Sequence, residues 1–268
     1  MDPRGYRMLL GKSKREKLQE EPFAKWFNQN YSDYKIDSVS ANALRSQLRN
    51  KRFLIFMGTW CGDSRQEVPR IYKVLDYCGV PASRIQLIHV NIYDSVYKQS
   101  PGREEKGLNI HRVPDLLVYE GQTELGRVVE KPLISWEIDL LTINQQKNYE
   151  PSYKIVTYLH TLFRSQPLDK IEKDIVKIAD SLKSQITKNE GLQSYGSVLL
   201  AANENRKALF VLQLNSMLYP SSANAFASLG DAYIKVGIRS EAKQNYEWAL
   251  ILQPGHEKAT SMLAQLMK

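Results

Sequence analysis

Cys61 stands between an apolar run and a polar segment of helical periodicity, in Phe53-Leu-Ile-Phe-Met-Gly-Thr-Trp-Cys-Gly-Asp-Ser64. That order places the thiol at a strand-to-helix junction, near the first turn of the helix. Unpaired backbone N–H groups and the positive end of the helix dipole stabilise an anion there. For a cysteine the anion is the thiolate, the form that acts as nucleophile. Asp63 opposes that charge and Arg65 offsets Asp63 in part. The position three residues on is Ser64, so no second thiol closes the turn.

The other candidate groups carry less. Cys78 follows Cys61 by 17 residues. If the segment between them is mostly helix, the two lie on the order of 20 Å apart, far beyond the roughly 7 Å Cα limit for a disulfide. Cys78 is therefore read as a small hydrophobe at a helix end. The histidines at 89, 111, 160 and 256 have no metal-like spacing with one another or with the cysteines, and neither metal nor cofactor is expected. His111, three residues before Pro114, is read as a loop histidine without catalytic duty. Gly11-Lys12-Ser13 lacks the glycine register and the preceding strand of a phosphate-binding loop.

Positioning Cys61 requires a strand over 52–58 and a helix over 64–77 that ends at Gly79. Ser40 is placed to cap a helix over 41–49, and 84–91 reads as a strand. A loop at 98–108, rich in Pro, Gly and charge, leads to Val113-Pro114, a strand and a hairpin partner at 126–130. Pro132 and Ser135 introduce a helix over 136–146. The order β-α-β, loop, β-β-α is that of a mixed sheet flanked by helices. Residues 1–37 are polar with scattered aromatics and read as a helical or irregular extension, with a short amphipathic helix around 20–30.

Through Trp60-Cys61-Gly62-Asp63-Ser64 the chain resembles the thioredoxin superfamily, over roughly residues 38–150. Pro69 matches the proline that kinks the family's active-site helix. Val113-Pro114, before Asp115-Leu-Leu-Val-Tyr-Glu-Gly-Gln122, matches its cis-proline loop, so this bond is expected to be cis. The resemblance implies an α/β thioredoxin-like domain in which Cys61 is the nucleophile and Ser64 hydrogen-bonds its thiolate. It also implies that Trp60, Gly62, Asp63, Val113 and Pro114 shape the groove for substrate, with the backbone of Val113 pairing with bound peptide. Two departures stand out. Ser64 replaces the resolving cysteine, and Ile55 replaces the buried acid six residues before the nucleophile.

At about 150 residues per domain, a chain of 268 suggests two. From Pro151 onward the pattern turns helical and a 34-residue period appears, pairing Gly196 with Gly230, Ala208 with Ala242, and Pro220 with Pro254. The second copy, 223–256, resembles the tetratricopeptide pattern through Phe226, Leu229-Gly230, Tyr233, Ala242, Tyr246, Ala249 and Pro254. A weaker copy precedes it at 189–222, and 257–268 reads as a capping helix. Fewer than three full repeats rarely suffice alone, so helices within 151–188 must supply the missing stack. The implied class is an all-α helical-repeat domain of tetratricopeptide type. The carboxylate clamp of some such arrays is not evident, the matching positions including Gln193, Ser197, Ala227 and Asp231.

Lys+Arg 37 against Asp+Glu 29 gives +8, but the basic clusters contain or adjoin acids. That favours a solvated surface over a nucleic-acid patch. No apolar run approaches the ~20 residues of a membrane span. The start has no signal-peptide core, so the chain is expected in the cytoplasm, or in an exported compartment if a signal was trimmed. The expected activity is thiol–disulfide exchange or isomerisation through Cys61 alone, on protein or peptide thiols and disulfides. The repeats would recruit a partner protein or form a homodimer. The rival reading is a non-catalytic adaptor that uses both regions for recognition.

Overall fold

The computed structural model describes residues 1–186 and 191–266. The chain divides into two units, Met1–Ser152 and Tyr153–Lys268. No helix among the described residues is long and apolar enough to cross a membrane.

The first unit holds five strands: β1 (Gly11–Ser13), β2 (Lys51–Met57), β3 (Ile85–His89), β4 (Asp115–Glu120) and β5 (Thr123–Val129). They form one mixed sheet in the order β1-β3-β2-β4-β5. β2 and β3 run parallel, with Ile55 opposite Leu87, and the remaining neighbours are antiparallel. Four helices accompany the sheet: α1 (Ala24–Asp33), α2 (Ser38–Arg45), α3 (Gly62–Tyr77) and α4 (Trp136–Asn144).

Alternation along the strands decides which face each group meets. Phe53, Ile55 and Met57 of β2 join Leu87, Leu116 and Val118 in a core shared with Phe27, Leu44, Val68, Ile71, Trp136 and Leu140 from the four helices. Phe56, Ile88 and Leu117, one residue out of phase, face the other way and meet Val90, Ile110 and Val113. Helices thus cover one face. The 90–113 segment closes the other, and Trp60 and Cys61 pack on that second core.

The sequence reading of 1–37 gave no strand, yet Gly11–Ser13 pairs antiparallel with β3, and Ser13 Oγ lies 2.7 Å from His89 Nε2. Three residues are too few to show a period, so the partner strand decides this one. The second helix also starts earlier than Ser40 suggests. Asp37 caps it, accepting from the Val39 N–H at 3.1 Å and the Ser40 N–H at 3.4 Å. Ser135 caps α4 as expected, accepting from the Ile138 N–H at 3.2 Å.

The regular elements among the described residues of the second unit are helices, with no strand: α5 (Lys154–Ser165), α6 (Leu168–Lys173), α7 (Ile175–Leu182), α8 (Leu192–Ala201), α9 (Asn205–Leu218), α10 (Ala223–Lys235), α11 (Arg239–Leu252) and α12 (Glu257–Leu266). The 34-residue period is a packing period. A Cβ added at Gly196 would lie 2.5 Å from Leu212, and one at Gly230 would lie 2.6 Å from Tyr246. Each glycine lets its helix close on a large side chain of the next. Pro220 and Pro254 each stand two residues past the end of their helix, α9 and α11. Ile155, Leu159, Ala179 and Leu182 of α5 and α7 pack with Tyr195, Leu199, Phe210 and Leu214 of α8 and α9, supplying the stack that the repeats need. Residues 189 and 190 of the earlier copy and 267–268 of the last helix lie outside the described residues.

Candidate functional site

β2 ends at Met57, and Gly58 follows because nothing larger fits: a Cβ there would collide with the Trp60 indole. The ring folds back over the strand exit. Its Nε1–H donates to Val90 O at 2.9 Å, and its face tilts against Tyr97, 6.5 Å between centroids. Cys61 then caps α3 in extended geometry (φ −89°, ψ 128°), and its carbonyl accepts from the Arg65 N–H at 3.1 Å. The half-buried thiol donates to Val113 O at 3.3 Å. The Val113–Pro114 bond is cis, as expected. Sequence positions 52 residues apart therefore meet at one sulfur.

Ser64 lies on the first turn of α3. It is fully buried, and its Oγ accepts from the Gly58 N–H at 3.3 Å, while the Cys61 thiol turns away toward Val113. Ser64 stabilises the strand exit and leaves the sulfur to the proline loop. Gly62 faces open space, with nothing within 4 Å of where a Cβ would stand. The Asp63 carboxylate is engaged by Lys131, 2.8 Å away, and not by Arg65, whose Nε–H donates to Thr59 O at 2.6 Å. Cys78 is buried beside Ala41 O, and desolvation pushes its thiol up to about 11. Both cysteines are free.

The structure adds a group that the sequence did not single out. Lys98 is 3% exposed, and its ammonium donates to His111 O at 2.5 Å while lying 4.6 Å from the Tyr97 ring centroid. Thiol and ammonium thus bind carbonyls two residues apart on one loop. Burial drives Lys98 down to about 7; Arg112 lowers it further, and Cys61 and Glu130 oppose the shift electrostatically. His111 is also buried, its imidazole pushed down to about 3 by desolvation. Its backbone, not its ring, receives Lys98. Asp115, one residue past Pro114, is fully buried with Arg127 3.4 Å away, and desolvation raises it to about 7.

No family model, curated protein or solved structure matches the chain.

The local chemistry therefore has to be read from the groups themselves. A half-buried thiol sits at a helix N-terminus, against a backbone carbonyl, with one buried cation electrostatically coupled to it. Among the described residues no group of three metal-capable side chains comes together. Lys98 escaped the sequence reading because a lysine in a polar loop ordinarily faces water. Two backbone bonds bury this one: the Lys98 N–H donates to Asn91 O, and the Asn91 N–H to Gln99 O, both at 2.9 Å.

Proposed function

We propose that the first unit is a thioredoxin-like domain acting on protein or peptide disulfides through Cys61 alone. One observation carries this reading: the Cys61 thiol, at the N-cap of α3, meets the carbonyl of Val113 on the loop opposite. The thiolate attacks one sulfur of a substrate disulfide. A new S–S bond forms to Cys61, the old bond breaks, and the second sulfur leaves as a thiolate that takes up a proton. An external thiol then attacks the mixed disulfide, restoring Cys61. Lys98 binds the carbonyl of His111, two residues before Val113, and Trp60, Val113 and Pro114 wall the groove. When Cys61 is engaged, Val113 O is released to accept from substrate backbone.

The second unit is proposed to be an array of tetratricopeptide type that recruits a partner protein. The repeated Gly196–Leu212 and Gly230–Tyr246 approaches support it.

The test uses the reduced protein and a peptide disulfide that releases a coloured thiol. A one-to-one adduct on Cys61 is expected to accumulate and to clear on adding thiol, because Cys78 is buried and no second thiol resolves it. Cys61→Ser should form none. Release from the wild type no faster than from Cys61→Ser would overturn exchange and leave the non-catalytic adaptor.

A further inference from the structure

The N-terminal segment runs beside the thiol. The Leu9 N–H donates to Thr59 Oγ1 at 3.1 Å, and Arg4 Nη2 donates to Trp60 O at 3.3 Å. From covalent geometry the second contact puts the Arg4 guanidinium within about 6 Å of the Cys61 Cα. Between this segment and helices α1 and α3 lies a cavity of about 300 Å³, lined chiefly by Arg4, Tyr6, Arg7, Phe23, Trp26 and Arg65.

The charge of that lining is one-sided. Arg4 is held by Asp2 at 2.8 Å. No Asp or Glu is among the lining residues. Arg65 spends its Nε–H on Thr59 O, and its terminal nitrogens have no carboxylate partner among the described residues. Arg7 has neither an ion pair nor a side-chain hydrogen bond among the described residues. Two guanidinium forks therefore line a cavity whose remaining walls are Tyr6, Phe23 and Trp26, with Pro22 and the Asp2-paired Arg4. Such forks match a carboxylate in pairs of parallel N–H bonds, and aromatic walls pack whatever apolar group adjoins it.

We propose that this cavity is an anion subsite that selects acidic peptide disulfides for Cys61. A carboxylate two to three residues from the substrate cysteine reaches it, at about 3.3–3.6 Å of extended chain per residue. The neighbouring side chain packs on Trp26 and Phe23. The inference rests on the exchange reading of Cys61, and its test separates the two.

Two measurements on the full chain do so. In the first, calorimetry follows binding of a cysteine-free peptide carrying one Glu, against its Gln twin and against inorganic phosphate. The Glu peptide is expected to bind at least tenfold tighter than the Gln peptide in wild type. In Arg7→Gln, and in Arg7→Gln/Arg65→Gln, the two should bind within about twofold, and added salt should shrink the wild-type preference. Arg7→Gln loses no structural bond, so it carries the result if the double variant fails to fold. In the second, disulfides of the same two peptides with a coloured thiol are mixed with the protein, and release is timed. The acidic one should react about tenfold faster in wild type and within twofold of the neutral one in the variants. Equal binding of the two peptides, or binding of phosphate alone, overturns the subsite whatever Cys61 does. Selective binding without release of coloured thiol overturns the exchange reading and leaves the subsite standing.

Discussion

The two units fill their interiors on different principles. The first buries Glu67, Lys98, Glu105, Asp115, Glu137 and Asp139 among its apolar side chains. The second, among its described residues, buries Asn215, Ser216, Ser228, Asn245 and His256 and no Asp, Glu, Lys or Arg. Taking a charge out of water costs several kcal/mol unless partners compensate it. The described part of the helical unit's interior avoids that cost, setting glycine against leucine or tyrosine at a fixed period. The first unit carries the cost and places one such charge, Lys98, on the loop that also holds the Cys61 thiol. Not all its buried charges belong to the site. Glu67 accepts from the Trp136 Nε1–H at 2.9 Å, within the core on the other face of the sheet.

If Lys98 is a burden carried for the thiol, removing it should show in stability and in reactivity. Lys98 binds its proton less firmly folded (about 7) than at its ordinary 10.5. Between those values the unfolded chain holds more protons, so stability rises with pH, by at most about 1.4 kcal/mol per unit for one group. Urea denaturation from pH 7 to 9 should show that rise in the wild type and a flatter profile in Lys98→Met. Cys78, pushed up from 9.0 to about 11, begins to oppose that rise near pH 9, but equally in both proteins, so the difference between profiles reports Lys98. Alkylation of Cys61 by iodoacetamide at pH 7 should slow roughly three- to tenfold in the variant, as expected for losing a nearby opposite charge. A parallel profile with an unchanged alkylation rate would make Lys98 an ordinary loop anchor.

The helical unit is broken differently. In Gly230→Ala the new methyl meets the ring of Tyr246, which is fully buried and whose hydroxyl donates to Asp231 at 2.8 Å. The ring is fixed at both ends and cannot swing clear. Overpacking of this kind costs about 1–3 kcal/mol, against about 1 kcal/mol gained from helix propensity. The second unit should therefore lose up to about 2 kcal/mol by chemical denaturation. Gly196→Ala should lose less, because the Leu212 side chain it meets has no polar anchor among the described residues and can change rotamer. Equal losses would mean that the backbone spacing, not the facing side chain, sets the period.

Much of this arrangement is legible in the sequence where local pattern and geometry coincide. The apolar run, the glycine and the change of period place Cys61 at the head of a helix, and the 34-residue spacing finds both glycine–large pairs' helices. What stays hidden is decided by residues far apart in the chain. β1 exists because β3 offers it an edge. Lys98 is buried because a loop closes through Asn91 and Gln99. The cavity needs residues 4–7 to lie along Thr59 and Trp60, which nothing in their own composition announces. The motif spacing puts Ser64 on the first turn of α3, but spacing does not fix its rotamer, which here turns Oγ toward the Gly58 N–H.

That rotamer sets the smallest test. In Ser64→Cys the new thiol stands three residues from Cys61, which as the N-cap of α3 has an extended backbone rather than a helical one. The Cα separation across that first turn falls within the range that a disulfide accepts. Reduced, the variant should lose about 1 kcal/mol or less, because sulfur is a weak acceptor for the Gly58 N–H that Ser64 now satisfies. Mild oxidation should close an internal disulfide, the oxidant taking two electrons and two protons leaving, read as a loss of two free thiols and of the mass of two hydrogen atoms per chain. The Cys61 sulfur has only to rotate from Val113 O toward its own helix. The long-lived adduct with peptide disulfides should vanish, since the new thiol attacks it from the next turn position. An adduct that persists while the new thiol stays free would show that the Val113 contact holds the sulfur against rotation. The single-thiol character of the site would then belong to the loop opposite as much as to the missing cysteine.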